Sequence, residues 1–435
     1  MPRSTAGDNS KSAPPGGNYK WAVVGMLWFI CFFNYADREV ISVTFPLLQD
    51  EFGFTKYELG WIKSSFMIVY AISAPFAGQV GDRASRKVVI LTGLYVWSAI
   101  TGFTAACRTF WHFIFVRAAE GLGETFYFPA TMSLVSDYHG KSTRSRAMAF
   151  HQTGVYAGII GGGALGGWMG EQFGWKTPFI FLGVAGVVLG LILATFIREP
   201  LRNQAEVLEG DTDIQPVAIK PLPMGAFLKY LLSTPTALVL LIVFPSANFV
   251  AWGVLTWMPF YLHEAFDMSV TRAAIIGTFY IQAGSVTGTL AGGFLADFWR
   301  NHALGGRVAT QATGLLVGAP AVYYCGVADD ANWLICAMVV FGFCKGVYDS
   351  NIWAAIYDVI PAARRSTIVG VANFVGWMAG AGGPVLIGGA VDEGRVTLGA
   401  AIAMMASVYL VIGTMTLLCA LFLAPRDVRY AARLE

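Results

Sequence analysis

WAVVGMLWFICFFNYADREVISVTFP, residues 21–46, is the stretch on which the fold turns. It is apolar from Trp21 to Phe33, carries Asp37, Arg38 and Glu39 in succession, and then turns apolar again. Its length suits a bilayer crossing, which takes about 20 residues. A charge at the centre of such a helix costs at least about 2.5–3.5 kcal/mol. The stretch therefore reads as a membrane helix whose charges face a watery interior and find partners there.

The rest of the chain agrees. Of 435 residues, 56% are hydrophobic and only 13% charged, against about 25% charged in soluble domains. Mean hydropathy is +0.58. Net charge is +2, which leaves no electrostatic footprint for nucleic acid. The six cysteines form no CxxC pair and fall in or beside apolar stretches, so buried inert thiols are expected rather than disulfides or a metal site. The first apolar run is too long for a cleavable signal peptide.

Twelve apolar spans are predicted: 20–46, 57–80, 88–107, 111–136, 146–170, 177–197, 236–262, 271–297, 306–326, 332–357, 367–391 and 399–423. The polar, proline-rich stretch after Ile197 divides them six and six. The expected organisation is a polar tail 1–19, a six-helix bundle 20–197, a linker 198–235, a second bundle 236–423 and a tail 424–435. With the N-terminus inside, 20 of the 29 Lys and Arg residues fall on cytoplasmic segments and six on outer loops and adjoining helix ends, among them Lys63. That asymmetry puts both termini in the cytoplasm of a multi-pass cell-membrane protein.

The halves repeat each other. GVYAGIIGGGALGG (154–167), shifted by 222 positions, falls on GWMAGAGGPVLIGG (376–389), matching five glycines. Gly78-x-x-x-Asp82 is echoed by Gly293-x-x-x-Asp297. Parallel repeats imply halves related by an axis along the membrane normal, with a binding site at their interface near the midplane.

GQVGDRASRK (78–87) resembles the signature loop of the major facilitator superfamily, and RAAEGLGE (117–124) its fourth-span motif. The resemblance runs from about residue 20 to 425. It implies an all-α membrane protein of twelve transmembrane helices in two pseudo-symmetric six-helix bundles. NYADR with R-x-x-x-G-x-G-E is similar to the anion:cation symporter branch, which imports sugar acids and other organic anions. SDYHGKSTRSRAMA and VIPAARRST are similar to the Spinster-like branch, whose animal members export lysolipids and sphingoid phosphates.

Asp37, Glu120 and Glu124 are the candidates for proton coupling. Arg117, Glu120 and Glu124 share one helix face, about 10 Å from end to end, at the depth of Asp37 and Arg38. A guanidinium meets a carboxylate or phosphate through two hydrogen bonds, which suits Arg38 and Arg117 to a substrate anion. A static ion-pair network locking the helices is the plain structural alternative. Glu39 is expected on a face toward water or a loop. Lys345 and Asp349, spaced to pair within one helix, join the substrate candidates with Tyr35, Tyr70, Tyr127, Asn351, Gln282, Asn373 and Trp377. Gly78, Asp82, Arg83, Arg86 and Asp297, at helix ends, are the gating candidates.

No nucleophile–base set and no HExxH appears, so an enzyme is not expected. The expected activity is proton-coupled symport of a small organic anion by alternating access. A Spinster-like exporter of lysolipid is the alternative. A functional monomer is expected, with no cofactor beyond the proton gradient and no metal.

Overall fold

The computed structural model of the protein describes residues 18–140, 142–201, 205, 230–360 and 365–431, with backbone alone for 78–83 and 366. Among these there is no strand. The first half holds α1 (Tyr19–Val43), a short continuation α2 (Phe45–Phe52), α3 (Lys56–Arg83), α4 (Arg86–Thr104), α5 (Phe110–Thr125), α6 (Tyr127–Tyr138), α7 (Arg144–Phe173) and α8 (Lys176–Phe196). The second holds α9 (Pro235–Phe266), α10 (Val270–His302), α11 (Gly306–Val327), α12 (Ala331–Asp349), α13 (Ile352–Val359), α14 (Arg365–Asp392), α15 (Leu398–Leu418) and a last short helix, α16 (Ala424–Ala431). Helix boundaries lie within a few residues of those predicted. By length and composition, seven of the described helices are apolar enough to cross a membrane. The start of α1 bonds the end of α8, Tyr19 to the Phe196 carbonyl, and the start of α9 bonds α16, Thr236 to Asp427; the face where these helix ends lie is called here the terminal face.

Besides the first span, which passes from α1 to α2 at Thr44, two predicted spans are broken. The fourth becomes α5 and α6, parted at Phe126, and the tenth becomes α12 and α13, parted at Ser350 and Asn351. The breaks occupy corresponding places in the two halves. Each falls within two residues of an acidic group, Glu124 or Asp349. Interrupted helices are tolerated at membrane depth where they line a cavity or lie against protein.

Glycine sets the closeness of the packing. α7 lies along α1, where a Cβ on Gly162 would sit 2.5 Å from the Ala36 Cα and one on Gly158 2.5 Å from the Phe32 carbonyl. α14 lies along α9 in the same manner, with Gly383 against the Phe249 carbonyl. The sequence repeat is thus a repeat of packing. A second set of small residues joins the halves to each other. Gly163 abuts Thr278, Gly167 abuts Ala274 and Gly388 abuts the Lys56 backbone.

Five cysteines are buried, as expected, whereas Cys336 is exposed on the apolar outer surface.

Candidate functional site

The charges of the opening stretch are all buried, and they meet those of α5. Arg38 Nε donates to Glu124 Oε2 at 2.5 Å. Arg117 pairs with Glu120 one turn along the same helix. The Thr101 hydroxyl of α4 donates to the other Glu120 oxygen at 3.2 Å. Carboxylate oxygens of Asp37, Glu120 and Glu124 lie within 4.8 Å of one another. Those three oxygens are close enough to grip a cation, but Arg38 and Arg117 already supply positive charge beside them. Among the described residues, Asp37 has no hydrogen-bond partner for either oxygen, and two nitrogens of Arg117 are likewise unpaired. The Arg38 guanidinium is held among rings, 4.7 Å from that of Tyr35, 4.8 Å from Tyr70, 5.1 Å from Phe66 and 5.8 Å from Trp377. Cation–π contacts of this kind help to hold a desolvated guanidinium.

Tyr35 and Trp377 belong also to a cavity of about 230 Å³ between the halves. Gln152 and Tyr156 of α7 face it from one half. Asn248 and Trp252 of α9, Gln282 of α10 and the Lys345–Asp349 pair of α12 face it from the other. That pair closes at 2.5 Å.

Not every candidate reaches this space. Tyr127 is directed into the first half, where its hydroxyl donates to the Leu27 carbonyl at 2.9 Å and meets His151 Nε2 at 2.9 Å. Asn351 ties α12 to its neighbours, donating to the Gly292 carbonyl at 3.1 Å while its own carbonyl accepts from Gln311. Asn373 is part-buried on α14 and does not line the cavity. Of the gating candidates, Arg86 binds Asp137, Glu199 and the Pro200 carbonyl, all within its own half. Asp297 lies 3.7 Å from Arg307, again within one half. The backbone of Gly78, Asp82 and Arg83 continues α3, but the side chains of Asp82 and Arg83 lie outside what is described.

Two expectations are corrected. Glu39 is buried rather than turned to water or a loop, because Lys63 is buried opposite it at 3.8 Å. Lys63 is not an outer-end residue. It lies seven residues into α3, and its ammonium donates to the Arg38 carbonyl at 2.7 Å. Tyr156 could have been found, since it stands on the face of α7 opposite the glycine seam.

The hydrogen bonds and ion pairs between halves, among the described residues, sit toward the face opposite the termini. Asp392, ending α14, accepts from the backbone N–H of Lys56 and Tyr57 at 3.1 and 2.6 Å, where α3 begins. Glu171, near the end of α7, accepts from the Thr271 N–H at 2.7 Å, where α10 begins. Lys56 also pairs with Glu264 at 2.7 Å, and Ser64 donates to the Ala381 carbonyl at 2.6 Å. A carboxylate at a helix N-terminus satisfies free N–H groups and meets the positive end of the dipole. That face is therefore closed across the halves.

Comparison with known proteins places this arrangement. The family model described as Major Facilitator Superfamily matches residues 27–384. The chain is similar to the probable galactarate/D-glucarate transporter GudP of Bacillus subtilis (strain 168), with 27% identity over 92% of this chain and 94% of the relative. It is similar to the hexuronate transporter of the same organism, with 25% identity over 86% of this chain and 88% of the relative. It is also similar to the sphingosine-1-phosphate transporter SPNS2 of Xenopus tropicalis, with 26% identity over 87% and 76%. In fold it resembles a bacterial homolog of the human lysosomal transporter Spinster, solved in an inward-facing and unoccupied conformation. The TM-score is 0.75 at 21% identity, covering 96% of this chain and 98% of that one. These relatives are transporters, not enzymes.

Proposed function

This chain belongs to the Major Facilitator Superfamily, and from that membership we propose that it carries a small organic anion, a sugar acid or comparable carboxylate, in symport with protons by alternating access. The observation that carries the reading is the buried set Asp37, Glu120 and Glu124 with Arg38 and Arg117. Three carboxylates against two guanidiniums leave one negative charge uncompensated, and low-dielectric surroundings penalise it heavily. A single proton balances the set. A proton arriving at Glu124 releases Arg38, whose fork then suits the carboxylate of an incoming substrate. Departure of the anion lets the pair re-form and the proton leave. Binding of proton and anion are thereby linked through one guanidinium.

The cavity of about 230 Å³ and its amides and hydroxyls suit a compact polyhydroxy acid better than a long acyl chain. The sugar acids named for two of the relatives support the same choice. With the Lys and Arg asymmetry placing both termini in the cytoplasm, the closed face is the outer one. The state described is then inward-facing. Opening outward requires the contacts of Glu171 and Asp392 to part and the terminal face to close, where Asp82, Arg83, Arg86 and Asp297 lie. Each chain holds both halves, so a monomer suffices, and no cofactor is required.

The test is uptake of labelled sugar acids and lysophospholipids into proteoliposomes under an imposed pH gradient. Gradient-driven accumulation of a sugar acid is expected, abolished in Asp37→Asn and Glu124→Gln while tracer counterflow persists. Full gradient-driven uptake in both variants would remove the coupling role. Movement of lysolipid alone would recast the charges as a head-group site.

A further inference from the structure

Lys345 and Asp349 of the second half line the cavity itself, whereas the buried charges of the first half lie outside its lining. An offset of 225 positions relates Glu120 to Lys345 and Glu124 to Asp349. Both couples stand one turn apart at the end of a broken helix, α5 in one half and α12 in the other. The first half places two acids there and meets them with arginines. The second half places a base and an acid and joins them to each other at 2.5 Å. The Glu124 side chain is fully buried, whereas those of Lys345 and Asp349 retain 18% and 34% of their exposure. A solute in the cavity can therefore touch this pair directly. Gln152, Asn248 and Gln282 offer amides around the same space, and Tyr156, Tyr348 and Tyr409 offer hydroxyls.

We propose that Lys345 and Asp349 act together as a dipolar reader of the substrate's uncharged end, restricting transport to sugar acids that carry one carboxylate. This rests on the transport reading above. A hydroxyl can accept from the Lys345 ammonium and donate to the Asp349 carboxylate at once, so a polyol tail satisfies both without breaking the pair. A second carboxylate cannot. Reaching Lys345 brings it against Asp349, and like charges in a confined site repel strongly. Arg38, freed by one proton, can pair with one substrate carboxylate, and the second half adds no net positive charge for another. Asp349 is thus a specificity residue that works by exclusion, and removing its charge turns Lys345 into a second anion site.

The experiment compares labelled gluconate uptake into proteoliposomes, under a pH gradient, with competition by unlabelled glucuronate and glucarate. The wild type is expected to be inhibited by glucuronate, and by glucarate roughly tenfold or more weakly. In Asp349→Asn the glucarate disadvantage shrinks by about tenfold or more, while the double variant Lys345→Met/Asp349→Asn loses that gain. Quenching of the cavity tryptophans Trp252 and Trp377 in detergent reads binding without transport, and thermal melting shows that each variant is folded. Equal competition by both acids in the wild type, or an unchanged ratio in a folded Asp349→Asn, overturns the proposal while leaving the transport reading intact. If no sugar acid of either kind binds or moves, both fall together.

Discussion

Lys63 and Glu39 show what a buried charge demands of its neighbours. Both side chains are nearly inaccessible, at 3% and 9%, and they face each other at 3.8 Å. Removing one member of such a pair strands the other in a low dielectric, typically at a cost of about 3–5 kcal/mol, whereas replacing both with neutral groups of similar size is far milder. Lys63→Met is therefore expected to lower the melting temperature sharply, and Glu39→Gln added to it to recover most of the loss. Equal destabilisation by the single and double variants would show that the pair contributes nothing. The Arg38 cluster obeys the same rule, but with unequal numbers of acids and bases, and that imbalance is what invites a proton. The cluster was legible in the sequence because charges interrupting an apolar run must face inward and must find partners. Lys63 was not, because a lysine one or two turns from a predicted helix end looks like a snorkelling interface residue. Only the crossing of α1 and α3 shows that it points into the bundle.

At the scale of the helix, the device that closes one face is built twice. Glu171 near the end of α7 meets the start of α10, and Asp392 at the end of α14 meets the start of α3. Thr271 and Lys56 are related by the same 215-position offset that relates Gly78 to Gly293. Thr271, whose backbone N–H donates to it at 2.7 Å, holds the Glu171 carboxyl below its usual value of 4.5. A carboxyl whose value is lowered in the closed state contributes stability above the free value. That stability is lost as pH falls through the lowered one. Acidifying the bath on that side below about 4.5 is thus expected to favour opening. Glu171→Gln is expected to favour it at every pH. The measurement is labelling of a cysteine placed at Ala274, which packs on Gly167 in the closed state, by a membrane-impermeant thiol reagent in a cysteine-free background. Labelling that does not rise with either change would rule out the Glu171 clamp. The broken helices were harder to foresee. Hydropathy runs unbroken through Phe126, and the local signal is Pro129 in the first turn of α6, which has no N–H for the Thr125 carbonyl and crowds it with its ring.

Over the whole molecule, two bundles repeat one plan and meet along a seam of small residues and charged helix ends. The arrangement suits a rocking of one half against the other about a central cavity. If the termini are cytoplasmic, a protease site added after Glu435 is cleaved in inside-out vesicles and protected in right-side-out ones, and the reverse result would invert the assigned states. The sequence by itself determined the membrane class, the twelve spans, the duplication and the inward-facing charges. Hydrophobic length, glycine spacing and the cost of a charge in hydrocarbon are local properties that composition and periodicity carry. Only the tertiary structure decided which charges pair, that Tyr127 and Asn351 serve packing, that Lys63 is buried, and which face is closed. Those are relations between residues far apart in the chain, fixed by how helices cross, and no spacing along one helix encodes the angle at which another will meet it.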